Sequence, residues 1–456
     1  MKTKLIIYTV GIALGISNAI WAQSPSPSVA GNAGPLPLFS NVRIFDGKSD
    51  KLSAPSYVLV RGNVIEKIST TPLPTDRRAD TTLIDGGGRT LMPGLIDMHW
   101  HAMLVRPTPD SALTDDVGYT NLVAGAEATD TLMRGFTTIR DLGGPVFGLK
   151  RAIDEGIVPG PRIFPCGAMI TTTGGHGDFR ELYMMPRKSG KPRSRVEQLG
   201  AAMIADSPDE VRLRVREQLT LGASQIKLMA GGGVASPHSP IDVATFTEPE
   251  LRAAVEAAEN WGTYVTVHAY TPETIQRSIA AGVKCIEHGH LMDEASAKLM
   301  AEKKIWLSTQ PFPPEMADVF PPGSTQREKF QEVLKGMDKM FRFAKKYSIK
   351  TAVGTDVLFS PALAKRQGQL LTILTRWYTP AEVLAMATSA NAELLALSGK
   401  RSPYPGKLGR IEEGALADLL LVDGDPIANI KLLADPGKNF VVIMKDGKIY
   451  KNTLSK

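Results

Sequence analysis

Leu91-Met-Pro-Gly-Leu-Ile-Asp-Met-His-Trp-His101 is an apolar run that ends in two histidines. In an extended strand, residues i and i+2 share a face. His99 and His101 therefore leave one buried strand end side by side, aimed at one point. Imidazole is the commonest protein ligand for zinc-like metals, so the pair sets the question for the rest of the chain: do further ligands follow at other strand ends?

Outward from this run, apolar strands alternate with amphipathic helices. Strands are predicted at residues 95–98, 137–140, 162–168, 225–229, 264–267, 284–287, 305–308 and 351–353. Helical patterns fall at 120–134, 209–221, 248–260, 272–281, 293–303 and 330–347, with a last helix over 381–397. Near-continuous apolar strands separated by helices call for a parallel sheet covered on both faces. Eight such repeats over roughly 300 residues suit an α/β fold of the (β/α)8 TIM-barrel type. A doubly wound open sheet is the rival, but no G-x-G-x-x-G follows the first strand. Long stretches after the first, third and seventh strands (106–116, 171–207 and 311–325) would crown the C-terminal face as lid or pocket wall, or be plain surface insertions.

The chain ends read differently. Asn41-Val-Arg-Ile-Phe, Tyr57-Val-Leu-Val, Val64-Ile-Glu-Lys-Ile and Thr82-Leu-Ile-Asp are short strands between turns, and Ala417-Asp-Leu-Leu-Leu-Val and Phe440-Val-Val-Ile-Met repeat the style. Neither end alone has enough strands to bury a face, so one small β-sandwich built from both termini is expected. The resulting division is 40–92 plus 401–456 for the sandwich and 93–400 for the barrel. Residues 1–22 read as a signal peptide: Lys2 and Lys4, then an apolar stretch from Leu5 to Ile16, then Ala22 before Gln23, with an imperfect A-x-A site. Residues 23–39 read as a flexible leader, and the expected location is exported, periplasmic or secreted. An uncleaved anchor is the rival, but the run is short for a membrane span.

With 456 residues, 43% hydrophobic and 22% charged, the chain can bury a large core. The formal charge of +6 is spread out, without a Lys/Arg block or aromatic–basic interleaving, so a nucleic-acid surface is not indicated. Cys166 and Cys285 lie in separate apolar segments outside any C-x-x-C motif and read as buried thiols.

Four more chemistry-bearing residues end strands: Lys227 on the fourth, His268 on the fifth, His288 on the sixth and Asp356 after the eighth. A lone strand-end histidine is ordinarily a core or loop residue, and a lone Asp is often a helix cap. A lysine inside an apolar strand is different, because an unpaired buried ammonium is costly. A lysine amine of depressed pKa can add CO₂ to become an anionic, bidentate carbamate. Such a group could bridge two divalent cations, with His99, His101 and Asp356 on one side and His268 and His288 on the other.

These residues resemble the amidohydrolase superfamily, in its imidazolonepropionase-like and prolidase-like branch. The text that carries the resemblance is Pro93-Gly-Leu-Ile-Asp-Met-His-Trp-His, Gly135-Phe-Thr-Thr-Ile-Arg-Asp-Leu-Gly-Gly, Ile286-Glu-His-Gly and Gly409-Arg-Ile-Glu-Glu-Gly-Ala-Leu-Ala-Asp-Leu. It implies two metal ions, usually Zn²⁺, held by His99, His101, Lys227 as N6-carboxylysine, His268, His288 and Asp356. It also implies hydrolysis of an amide, with Asp356 as general base and then general acid. The binuclear carboxypeptidase and dipeptidase relatives, and ochratoxin-degrading ones, point to a small substrate with a free carboxylate, and relatives are often homo-oligomers. His176 in Thr-Gly-Gly-His-Gly could bond the carbonyl oxygen or carboxylate, or be an exposed loop residue. Tyr270 could contact the carboxylate or merely pack in the wall. His290 would be pocket rim and His238 a surface residue or a substrate contact. Gly231-Gly-Gly would let backbone approach the pocket without resembling a phosphate loop. Arg140 and Asp141 are expected to pair with each other or cap structure. Two other readings share the residues: a cyclic-amide or lactam hydrolase, and a non-catalytic metal- or peptide-binding protein.

Overall fold

The computed structural model describes residues 36–74, 81–184 and 193–454. The signal-peptide reading and nearly all of the leader reading lie outside the described residues. The leader reading also runs too far. A strand begins at Leu36, where Leu36, Pro37, Leu38 and Phe39 are already buried in a sheet.

The middle of the chain is a parallel (β/α)8 barrel. Leu95–Trp100, Phe136–Asp141 and Arg162–Pro165 pair in order, all parallel. Met169–Thr171, Ile226–Met229, Val265–Ala269, Cys285–His288, Trp306–Thr309 and Thr351–Val353 continue the ring. Every residue of the first strand is buried, which is why it reads as an unbroken apolar run. Helices pack outside. Val117–Met133 is capped by Asp116, Pro208–Leu221 by Ser207, and Glu248–Asn260 by a reciprocal Thr247–Glu250 capping box.

Three features depart from the sequence reading. The third strand is not one run: it breaks at Gly167, whose φ of +74° suits glycine. Before the break, the Gln225 side chain donates to the Phe164 carbonyl at 3.0 Å. Within the stretch read as a loop after it, Ala202–Ile204 adds a parallel strand beside Met169–Thr171. The last helix is interrupted by a π-turn over Met386–Ala390 between Pro380–Ala385 and Asn391–Leu395.

That π-turn sets Asn391 at the seam between the eighth and first strands. Its Nδ2 donates to the carbonyls of Ile96 (2.7 Å) and Val353 (2.9 Å), and its Oδ1 accepts the Val353 N–H (2.9 Å). One side chain thus supplies ladder bonds that the two strands lack. Higher in the seam, the Asp356 N–H donates to the His99 carbonyl at 2.8 Å.

The termini join in one eight-stranded sheet. Leu36–Ile44 bends at Asn41 (φ +51°) and serves both halves. Its first part pairs with Ser56–Arg61 and Thr81–Asp85, and its second part with Thr90–Pro93. Thr90–Pro93 pairs with Leu419–Val422, which carries Phe440–Lys445 and Lys448–Asn452 beyond it. Phe39, Val42, Val58, Ile65, Leu91, Leu421 and Met444 fill the space between the halves. The barrel is bolted to this sheet by Arg162, which reaches Asp418 (2.9 Å) and Asp446 (2.5 Å). Among the described residues, no helix is long and apolar enough to cross a membrane.

Replacing Asn391 with Ala leaves three buried backbone groups without partners, at about 1–3 kcal/mol each. The expected result is a loss of at least about 3 kcal/mol, read as a lower urea midpoint at unchanged slope. An unshifted midpoint would contradict the seam role.

Candidate active site

The strand ends of the barrel place six of the sequence-selected residues on the floor of one cavity: His99, His101, Lys227, His268, His288 and Asp356. His99, His101 and Asp356 offer ligand atoms within 4.8 Å of one another. Asp356 Oδ1 lies 3.4 Å from the Nε2 atoms of both His99 and His101. That oxygen is buried and has no hydrogen-bond partner among the described residues. His288 and Asp356 adopt φ values of +72° and +50°, a left-handed conformation costly for residues with a Cβ and often retained at functional sites.

The imidazole nitrogens sort themselves. His99 Nδ1 is 3.0 Å from the Glu287 carboxylate, and His101 Nδ1 is 3.0 Å from the Gly143 carbonyl. His288 Nδ1 is 2.8 Å from Gln310 Oε1, and His268 Nε2 is 2.9 Å from the Gly232 carbonyl. Each acceptor takes the ring's one N–H and leaves the other nitrogen bare, the arrangement of metal-binding histidines. Burial, then the positive charges nearby, pushes His99, His268 and His288 well below the usual histidine range, so they stay neutral. Bare nitrogens beside an orphaned carboxylate oxygen fit a divalent cation.

Lys227 is 1% exposed, with its backbone in the ladder beside Thr266 and its ammonium without a hydrogen bond or ion pair among the described residues. Burial lowers its pKa below the usual lysine value. His268 and His288 flank the same floor, with ring centroids 4.4 Å apart, and His99 lies 4.8 Å from His288.

Arg140 and Asp141 do not pair with each other; adjacent residues on a strand face opposite ways. Arg140 is fully buried inside the barrel, donating to Glu287 (2.6 Å), the Met98 carbonyl (2.8 Å), Ser308 (2.8 Å) and Tyr264 (3.0 Å). Asp141 accepts the Ala102 N–H at 2.7 Å and so holds the turn after His101, while burial pushes its pKa up to about 7. Cys166 and Cys285 are buried free thiols.

The cavity above the floor has about 880 Å³ of free space, counted to its open mouth. Phe179, Phe312, Phe320, Phe330, Phe359 and Met316 are among its wall residues. His176 and Tyr270 line it too, and Tyr270 packs edge-on against His268 (4.7 Å between ring centroids) and tilted against His288 (5.0 Å). His290 lies behind the wall, stacked on Phe312 at 4.9 Å with Nε2 on the Gln310 carbonyl at 3.1 Å. His238 is exposed and not among the wall residues, because Ser236 and Ser239 of its loop turn inward instead. A substrate contact by His238 is therefore not what the fold provides. Glu287, Gln310 and Ser236 carry no role in the sequence reading. Only Glu287 left a signal, as a carboxylate inside an otherwise apolar strand.

Residues 90–450 match the model of the amidohydrolase family. The chain is 30% identical over 385 residues to the ochratoxinase of Aspergillus niger, covering 79% of this chain and 75% of that protein. A solved amidohydrolase structure superposes with a TM-score of 0.84 at 36% identity, over 92% of this chain and all of the other. A prolidase solved with N-methylphosphonate-L-proline gives 0.83 at 32% identity, again over 92% and 100%.

Glu287→Gln keeps the shape but removes the charge that balances Arg140 and orients His99. A buried pair broken on one side costs roughly 3–5 kcal/mol, and loss of a ligand's outer partner weakens metal binding about 10- to 100-fold. Both are expected, by urea unfolding and by metal titration; wild-type values in both would overturn this role.

Proposed function

The chain belongs to the amidohydrolase family, which makes it a hydrolase acting on C–N bonds, and from that premise we propose that it releases the C-terminal amino acid from N-acyl amino acids or dipeptides. The observation that carries the reading is the convergence of six ligand-type side chains beneath a largely apolar, aromatic-walled cavity. Two divalent cations, with zinc the usual choice, would be held by His99, His101, Lys227, His268, His288 and Asp356. Bound there, they supply Lewis acidity: they polarise a carbonyl and make water acidic enough to attack at neutral pH.

The chain's own groups do the rest. Lys227, buried and pushed toward its neutral form, is suited to add CO₂ and serve as a carbamate. Asp356 is the general base: its Oδ1 has no donor among the described residues, and it can take the attacking water's proton and pass it to the departing nitrogen. Tyr270 and His176 are the neutral polar groups beside the floor, placed for the substrate's carbonyl or carboxylate. Among the described residues lining the cavity, the only Lys, Arg, Asp or Glu side chains are Lys227 and Asp356, both on the floor, so the wall carries no charge to pair with an acidic or basic group, and the released residue and the acyl group are apolar or aromatic. Ochratoxin A, whose amide joins an aromatic acyl group to phenylalanine, falls in that class, and the resemblance to ochratoxinase supports including it. The signal-like residues 1–22 support export, and we assign the enzyme to the periplasm or outside as a homo-oligomer.

Three outcomes test this. Dialysis against a chelator abolishes hydrolysis, and a divalent metal restores it. Asp356→Asn lowers kcat by roughly 10²- to 10⁴-fold; full activity would refute the general-base assignment. In a panel of N-acyl amino acids and dipeptides, N-acyl phenylalanine and leucine are cleaved with higher kcat/KM than lysine, arginine or glutamate analogues. The reverse order would refute the apolar-pocket reading.

A further inference from the structure

The loop after the fourth strand contains Gly231-Gly232-Gly233, a motif that the metal floor does not explain by itself. A Cβ at Gly233 would fall 2.1–2.3 Å from the His176 ring atoms, so the imidazole lies flat on bare backbone. Three residues on, Ser236 is 1% exposed, and its Oγ is 2.8 Å from His176 Nδ1. The same oxygen accepts the Gly177 N–H at 2.9 Å. The loop is clamped from below by Lys329, on the helix Thr325–Lys346. Its ammonium donates to the carbonyls of Ser239 (2.6 Å), Ser236 (2.9 Å) and Gly233 (3.4 Å).

The hydrogen-bond count at Ser236 decides the tautomer of His176. A hydroxyl has one proton to give. Among the described residues, no acceptor other than His176 Nδ1 lies within reach of Ser236 Oγ. If Nδ1 instead carried the ring proton, the hydroxyl proton would be buried without an acceptor, at a cost of about 1–3 kcal/mol. We propose that Ser236 is a positioning residue: it donates to His176 Nδ1, holds the ring against Gly233, and thereby presents Nε2–H to the cavity as a fixed hydrogen-bond donor for the substrate. Lys329 acts one step further out by holding the loop that carries both Gly233 and Ser236. The inference rests on the reading of His176 as a substrate-facing group.

A double-mutant cycle tests it, using the full chain, an N-acyl phenylalanine substrate, and Ser236→Ala, His176→Ala and the double variant. Ser236→Ala is expected to lower kcat/KM roughly 10- to 100-fold, with metal content and unfolding midpoint near wild type. Ser236→Thr, which keeps the hydroxyl, is expected to recover most of the loss. In the His176→Ala background, removing the Ser236 hydroxyl should change kcat/KM less than twofold, because its target is gone. An equal loss in both backgrounds would overturn the proposal while leaving His176 a substrate contact. Wild-type kcat/KM in His176→Ala would overturn both the proposal and the role of His176 beneath it. Should Ser236→Ala fold poorly, Gly233→Ala reads the same coupling. It is expected to be damaging beside the imidazole and mild in the His176→Ala background; equal damage in both would count against the proposal.

Discussion

The structure depends on a charge pair at the centre of the barrel. Arg140 and Glu287 are both fully buried and 2.6 Å apart. Two desolvated charges are expensive, and their attraction repays that cost only when every remaining donor and lone pair is used. Here they are. The guanidinium also reaches the first, fifth and seventh strands through Met98, Tyr264 and Ser308, and the carboxylate accepts from Thr266 and faces His99 Nδ1. One ion pair therefore ties together strands far apart in sequence and, at its upper end, decides which nitrogen of His99 faces the floor. Stability and site geometry share the same bonds.

That coupling explains what was legible in the sequence. The barrel could be read because strands buried on both faces must be apolar throughout, and the floor residues stood out as the polar ends of such runs. The His99–His101 pair needed only strand geometry, whereas His268, His288 and Asp356 are individually ordinary strand ends that gained meaning from Lys227 and from the resemblance to the amidohydrolases. Lys227 needed one further argument, the cost of an unpaired ammonium. The two-ended sheet followed from counting strands too few to stand alone at either terminus.

The remainder was hidden for physical reasons. The acceptors that fix His101 and His268 are backbone carbonyls, of Gly143 and Gly232, and a carbonyl has no letter in the sequence. Gln310 is a polar residue after a strand, indistinguishable from a loop residue until the seventh strand is set beside the sixth. The break at Gly167 and the added strand Ala202–Ile204 lie where a three-residue strand has no periodicity to detect. Arg140 and Asp141 look like a natural pair in print, yet adjacent strand positions face apart, so one served the barrel interior and the other the turn after His101.

The division of labour between floor and wall separates what this site can do from what it acts on. The floor comes from strand ends, whose positions the ring of parallel strands fixes to within a hydrogen bond. The wall comes mainly from loops: Phe179 after the third strand, Phe312, Met316 and Phe320 after the seventh, and Phe359 after the eighth, with Phe330 added from the helix Thr325–Lys346. Phe359 is itself held at a φ of +52°, with its N–H on the Leu104 carbonyl at 2.9 Å. A wall residue that bears backbone strain is fixed in place, not merely filling space. On the proposed reading, substitutions at these wall positions bear on which acyl group fits, while the floor has its own holds: Glu287 inside the barrel for His99, and the loop carbonyls of Gly143 and Gly232 for His101 and His268. On the proposed reading the reaction class belongs to the strand ends and the choice of substrate mainly to the loops, and only the strands follow a period that sequence alone reveals.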